Sequence, residues 1–371
     1  MSLSVGIVGL PNVGKSTLFN ALLKKQAAYV ANFPFATIEP NVGIVPVPDS
    51  RLDKLAEVIS EQLTVNGKPT KPPIVPATVE FLDIAGLIAG AHKGEGLGNK
   101  FLAHIRETNV VCHVLRVFTD PEIIREGSAN PRSDFETVET ELKLADLQTL
   151  EKQAEPKGTT SKEEALRWRA VSKLREALQK GTAAREVSLD EGEQEAARTL
   201  SLLTAKPILV ALNVDEADLK KTEESEEGYS RELGVERNQV VTICAKTEAE
   251  LAELSPEEQG AYLKELGVGE SGLEKLIQRA YATLGLINFL TAGTIEVRAW
   301  TIQKGTAAQQ AAGVIHSDFE KNFIKADIVD FETFVKVNGW QSARERGKVR
   351  SEGKEYLIQD GEVVEFKIGA A

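Results

Sequence analysis

The run Gly9-Leu10-Pro11-Asn12-Val13-Gly14-Lys15-Ser16-Thr17 lies between the apolar stretch Val5–Val8 and a helical pattern that continues through Lys25. Two glycines separated by four residues, with Lys and Ser directly after the second, have the spacing of a loop that wraps phosphate oxygens. Glycine lets the backbone approach the anion, and successive N–H groups at a helix N-terminus face it. Asn12, Val13, Gly14, Lys15, Ser16 and Thr17 are therefore the candidate phosphate contacts. Lys15 is placed to reach the β- and γ-phosphates of a nucleoside triphosphate, and the Ser16 hydroxyl to coordinate Mg2+.

Outward from this loop, short apolar runs recur at Val79–Leu82, Val110–Val117, Ile208–Leu212 and Val240–Ile243. Each is followed by a loop rich in Gly, Asn, Asp or Lys and then a helical pattern. This alternation predicts an α/β fold, a doubly wound parallel sheet whose ligands bind beyond the carboxyl ends of the strands. Between Thr119 and Lys206 the pattern changes to helices alone. A helix over Asp134–Glu151, a second opened by a capping box at Ser161–Glu164, and a third opened by a box at Ser188–Glu191 predict a helical insertion. From Leu286 alternating runs at Thr294–Ile302, Ala326–Val329, Glu355–Ile358 and Val363–Ile368 predict a small α+β domain. The expected organisation is thus a nucleotide-binding domain in residues 1–118 and 207–285, an insertion in 119–206 and a last domain in 286–371.

Composition narrows the class. A chain of 371 residues exceeds one compact core, and its 42% hydrophobic and 27% charged content is that of a globular protein. No apolar run approaches the ~20 residues that span a bilayer, and the N-terminus reads as a strand, not a signal peptide. Only Cys112 and Cys244 occur, which fits a reducing cytoplasm. A net charge of −12 argues against attraction to nucleic acid over the whole surface, and against specific DNA binding. Local cation clusters remain at Lys162–Lys180 and Arg344–Arg350, readable either as solvated faces or as phosphate contacts. Nothing in the chain requires a dimer, and a monomer is expected.

Further motifs follow the phosphate loop in order. Asp83-Ile84-Ala85-Gly86 places a carboxylate that holds Mg2+ through water and a Gly86 amide that senses the γ-phosphate. Thr37, within Asn32–Pro40, is the candidate that closes on both metal and γ-phosphate. Lys15, Thr37 and Gly86 are the catalytic candidates; Ser16, Thr37 and Asp83 are the metal candidates. At the base, GTPases place Asn-Lys-x-Asp, where the Asp accepts from guanine N1–H and N2–H2. Here the run is Asn213-Val214-Asp215-Glu216, with Val for Lys and Glu for the acceptor. A carboxylate one methylene longer than Asp reaches differently, so guanine preference does not follow from this motif; adenine offers it no N1 donor, and Asp215 is available as a shifted acceptor. Asn213, Val214, Glu216 and Ala245, the last in Cys244-Ala245-Lys246, are the base candidates. Leu87 occupies the position where Ras-like enzymes carry the Gln that orients water. His92 and the loop Gly94–Lys100 are candidate substitutes, with a merely loop-structuring His92 as the other reading. The Asn12 amide oxygen is a candidate ligand for K+ beside the phosphates.

These residues together resemble the YchF family, the Obg-like ATPases, over nearly the whole chain. The resemblance is carried by Gly9–Thr17, Asn32–Asn41, Asp83–Leu87, Gly94–Phe101, Asn213–Glu216 and Glu248–Leu254. At the C-terminus it continues through Phe289–Gly293, Glu296–Trp300, Ala311–Phe319 and Lys354–Gly361. It implies a P-loop ATPase that binds GTP more weakly, a coiled-coil insertion and a C-terminal TGS domain of ubiquitin-like β-grasp fold. It also implies association with the ribosome or ribosomal RNA and a regulatory role in translation or stress response. A conventional GTP-specific translation-linked GTPase and a nucleotide-responsive adaptor with incidental hydrolysis are the alternatives. Cys244 stands where the family usually has Ser, and Phe289-Leu290 where an aromatic pair is more common.

Overall fold

The computed structural model describes residues 4–32, 41–62, 64–65, 68–84, 97–120, 130–156 and 161–369. These form two compact units, one of residues 1–45 and 79–283, the other of 46–78 and 284–371. The first contains a six-stranded sheet in the order Val42–Pro46, Thr78–Asp83, Ser4–Val8, Val110–Arg116, Ile208–Asn213, Val240–Ile243. The ladders from Thr78–Asp83 through Ser4–Val8 and on to Val240–Ile243 are parallel. Ser4–Val8, Val110–Arg116, Ile208–Asn213 and Val240–Ile243 are buried at every position, as expected of parallel strands covered on both faces. The chain leaves Ser4–Val8 for one side of the sheet and later builds Val110–Arg116 on the other. The phosphate loop therefore leaves its strand at the point where strand order reverses, where such sheets open a crevice.

The insertion contains helices Pro131–Glu151, Lys162–Gln179 and Glu191–Arg198. Ser161 and Glu164 form the expected capping box. The box expected at Ser188–Glu191 is displaced by two residues: Asp190 caps, and Glu193 reaches back to the Asp190 N–H at 3.1 Å. Asp offers a charged acceptor, and Glu193 is also anchored by Lys173 at 2.6 Å, which favours this register over that of Ser188. Leu150, Val171, Leu174, Leu178 and Leu200 build a separate small core. Its return to the sheet is tied by Asp146, which is fully buried and accepts from Leu203 N and Thr204 N, each at 2.8 Å, and from Thr204 Oγ1 at 2.6 Å.

The second unit holds a mixed sheet ordered Arg350–Glu352, Phe323–Asp330, Glu362–Ile368, Leu286–Ala292, Val297–Gln303, Ile74–Val75. Its first and last long strands, Leu286–Ala292 and Glu362–Ile368, pair in parallel, while antiparallel partners flank them. Helix Ala308–Ile315 packs Ala308, Ala311 and Ala312 against Phe289, Ile328 and Phe366, the arrangement of a β-grasp domain. Two details differ from the sequence reading. Glu355–Ile358 is not a strand; its backbone instead bonds to the segment before the helix, Tyr356 O to Ala308 N and Ile358 N to Thr306 O. Residues 46–78, read with the first domain, group with the second unit because Ile74–Val75 adds a parallel edge to Val297–Gln303.

Asp146→Ala is expected to lower stability by roughly 2–4 kcal/mol, since it leaves two buried N–H groups and a hydroxyl without their acceptor. A urea titration of the variant checks this, and a midpoint equal to that of the unmodified chain would refute the anchoring role.

Candidate functional site

Four loops converge at the carboxyl edge of the first sheet and enclose a cleft of about 560 Å3. Asn12 and Gly14–Thr17 line one side, Asn213–Glu216 and Cys244–Lys246 the other, and Phe118 and Asp120 complete the wall. Helix Lys15–Asn32 starts here without an acidic residue in its first turn, so its N-terminal N–H groups meet no competing carboxylate on the same turn. Gly14 has φ +100°, and a Cβ there would lie 2.2 Å from Asn213 Nδ2. Both backbone freedom and absence of a side chain are needed at that position.

The Asn213 carboxamide connects the loops. Its Nδ2 donates to Val13 O at 2.9 Å and its Oδ1 accepts from Ala245 N at 2.9 Å. Beside it Val214 is 3% exposed, its N–H bonded to Ile243 O at 2.9 Å. Asp215, the shifted acceptor, also lines the cleft, and one of its carboxylate oxygens, Oδ2, accepts from Thr119 N at 3.1 Å and Thr119 Oγ1 at 2.9 Å. Glu216 lines the cleft while its Oε2 accepts from Thr247 Oγ1 and Tyr262 OH, each at 3.2 Å.

On the phosphate side, Lys15 is 7% exposed and its Nζ donates to Leu10 O at 2.7 Å. Burial pulls its pKa down to about 8, with nearby Asp83 opposing the shift. Asp83 ends strand Thr78–Asp83 in register with Ile7, and desolvation raises its own pKa against the pull of Lys15. The two charges thus sense each other at the mouth of the phosphate loop. Asp83 does not line the cleft wall itself. Thr37, Gly86, Leu87, His92 and the loop residues 94–96 lie outside the described residues.

Sequence reading overlooked Phe118 and Asp120. They directly follow strand Val110–Arg116, and the rule that ligands lie beyond strand ends pointed to them. Buried Arg116 braces them, its guanidinium 4.3 Å from the Phe118 ring centre and its Nη2 donating to Asp120 O at 2.8 Å. Elsewhere, most cations of helix Lys162–Gln179 are engaged within the insertion. Arg167 donates to Gln153, Lys173 to Glu193, and Arg175 lies over Trp168. In the second unit Arg344 pairs with Glu365, and Arg350 with Asp330 and Glu362. Among the described residues no helix is long and apolar enough to cross a membrane.

A bound polyphosphate favours the charged ammonium, so Lys15 should take up a proton on binding whenever the pH exceeds its free value of about 8. Affinity should accordingly fall as pH rises above 8 toward the ordinary lysine value of 10.5. Calorimetry in buffers of different ionisation enthalpy detects the uptake; Lys15→Arg, charged throughout, should bind without it.

Comparison with known proteins places these features. Residues 4–156 match a family profile described as "50S ribosome-binding GTPase". Residues 286–369 match the YchF-GTPase C-terminal profile, described as "Protein of unknown function (DUF933)". The chain is 47% identical to the Ribosome-binding ATPase YchF of Bacillus subtilis, over 99% of both chains. It is 46% identical to the protein of the same name from Haemophilus influenzae, again over 99% of both. The solved YchF GTPase of Schizosaccharomyces pombe superimposes with a TM-score of 0.84 at 35% identity, covering 99% of this chain and 98% of that one.

Proposed function

The chain belongs to the YchF family of P-loop nucleotide hydrolases, and from that premise we propose that it is a Mg2+-dependent ATPase that prefers ATP to GTP. We propose further that it works as a nucleotide-controlled, monomeric switch on the ribosome, the partner named for its relatives, with a regulatory role in translation or stress response. The observation that carries the base preference is the wall Asn213–Glu216. Guanine recognition needs a carboxylate free to accept two N–H donors. Each candidate has one oxygen already engaged, Asp215 Oδ2 by Thr119 and Glu216 Oε2 by Thr247 and Tyr262, so neither presents both oxygens to a guanine edge. Val214 and Ala245 leave an apolar surface that covers a purine without selecting guanine.

In this reading Asn12–Thr17 hold the phosphates, Lys15 bridges the β- and γ-oxygens, and Gly86 senses the terminal phosphate. Ser16, Thr37 and Asp83 hold the metal. The donor set fits: hydroxyl and carboxylate oxygens suit a hard cation. No group of three His, Cys, Asp or Glu side chains among the described residues could form a dedicated cage. That suits Mg2+, which keeps waters and takes phosphate oxygens. When bound, it neutralises charge on the transferred phosphoryl oxygens. The Asn12 backbone has φ +60°, and its amide at the cleft is the proposed ligand for K+, supplying positive charge where the chain has Leu87 instead of Gln. That same Leu87 supports the adaptor reading as a second possibility, because unaided hydrolysis should be slow. Since the cations of the insertion are mostly engaged by its own residues, the ribosome contact is not assigned to that helix.

Equilibrium titration with Mg2+ should show ATP binding more tightly than GTP. Glu216→Asp combined with Val214→Lys should shift the ratio toward GTP by about tenfold or more, the scale of one well-made hydrogen-bond pair. GTP preference in the unmodified chain would instead make this a conventional GTPase. Turnover should be faster in K+ than in Na+ buffers, and equal rates would remove Asn12 from the charge argument.

A further inference from the structure

The partners of Glu216 come from outside the cleft. Thr247 lies in helix Ala245–Leu251 and is 2% exposed; Tyr262 lies in helix Pro256–Leu266. Neither lines the cleft, whereas Glu216 does. Both hydroxyls meet the same oxygen, Oε2, at 3.2 Å, so that oxygen is drawn toward the two helices. Tyr262 OH also lies 3.3 Å from Glu250 Oε2, which places one phenolic hydrogen between two carboxylates. Partial burial, Glu216 and Glu250 push the Tyr262 hydroxyl up to about 12, which keeps it a donor throughout the neutral range.

A carboxylate that accepts from guanine in the bidentate way presents one oxygen to N1–H and the other to N2–H2 in one plane. Oε2, which already meets two hydroxyl donors from residues outside the cleft, is poorly placed to do so, and Oε1 alone leaves the pair incomplete. Reorienting Glu216 toward a base would leave buried Thr247 without its acceptor, a cost that falls on guanine binding and not on adenine binding. We propose that Thr247 and Tyr262 form a clamp that withholds the Glu216 carboxylate from the base, making them the specificity-positioning residues that exclude GTP. The clamp rests on the ATP-preferring reading and gives it a mechanism: discrimination by removing an acceptor that the chain nevertheless carries. It also accounts for an acidic side chain at the acceptor position of a site that does not use it for guanine. Negative selection of this kind works through the cost imposed on the wrong ligand rather than through a contact to the right one.

The test is titration of ATP and GTP, each with Mg2+, into the full chain carrying Thr247→Val and Tyr262→Phe, with thermal unfolding to verify the fold. Both substitutions keep volume and remove only the hydroxyl donors. The clamp predicts that GTP binds about tenfold tighter while ATP affinity changes less than about threefold, the scale of one recovered hydrogen bond. Adding Glu216→Ala to the double variant should abolish the gain, which a general loosening of the site would not do. Unchanged GTP affinity, or both nucleotides changing together, overturns the clamp while leaving the ATP preference of the unmodified chain standing. A GTP preference in the unmodified chain overturns the ATP reading and the clamp with it.

Discussion

The Asn213 carboxamide holds Val13 O with its nitrogen and Ala245 N–H with its oxygen, and the geometry of the whole cleft follows from that one side chain. Val13 follows strand Ser4–Val8, Asn213 ends Ile208–Asn213, and Ala245 follows Val240–Ile243. Strand Val110–Arg116 separates the first of these from the second. The amide therefore reaches across a strand and fixes the spacing between the loop Gly9–Thr17 and the wall Asn213–Glu216. An amide suits both, because one neighbour is an acceptor and the other a donor. An Asp would set a carboxylate against Val13 O, and a hydrophobic residue would leave both backbone groups buried without partners. Gly14 belongs to the same constraint, since any side chain there would collide with the amide.

Within that frame the charges are arranged before any ligand is considered. Lys15 is buried with one backbone acceptor, and Asp83 is partly desolvated nearby; each shifts the other toward its charged form while burial shifts both toward neutrality. Such a pair is poorly compensated alone and much better compensated when polyphosphate and a hard cation join it. The site is thus organised around groups whose solvation has already been given up, the condition under which electrostatic contacts act most strongly.

What was legible in the sequence was local. Gly9–Thr17 declares itself because phosphate binding needs consecutive residues in one turn, and the buried strands declare themselves by unbroken apolar runs. Ser161–Glu164 was readable for the same reason, its two reciprocal bonds spanning three residues. The parts that were missed depend on partners far along the chain. Glu216 was identified, but its orientation is set by residues 31 and 46 positions away. One oxygen of Asp215, Oδ2, is held by Thr119, 96 positions away. In the second unit, Glu355–Ile358 alternates like a strand yet pairs with the segment before a helix, because the sheet positions are filled by other segments. Alternation records which faces are apolar and leaves open which neighbour will be present.

Strand Val110–Arg116 links the cleft to the insertion. Toward its carboxyl end it places Arg116, which braces Phe118 and Asp120 at the nucleotide wall. Three residues earlier, fully buried His113 meets Glu139 of helix Pro131–Glu151 at 3.1 Å, and Arg185 approaches the other Glu139 oxygen at 2.5 Å. Against the desolvation that would raise it, His113 and Arg185 hold the Glu139 carboxyl down to about 2, so it stays charged inside the protein. A buried charge of this kind tolerates little displacement of its partners, because separating them leaves it uncompensated at a cost of roughly 3–5 kcal/mol. The first insertion helix thus packs on the same strand that supports the cleft wall, with the Phe135 ring 4.9 Å from that of His113. A shift of Val110–Arg116 must therefore carry helix Pro131–Glu151 with it or part His113 from Glu139.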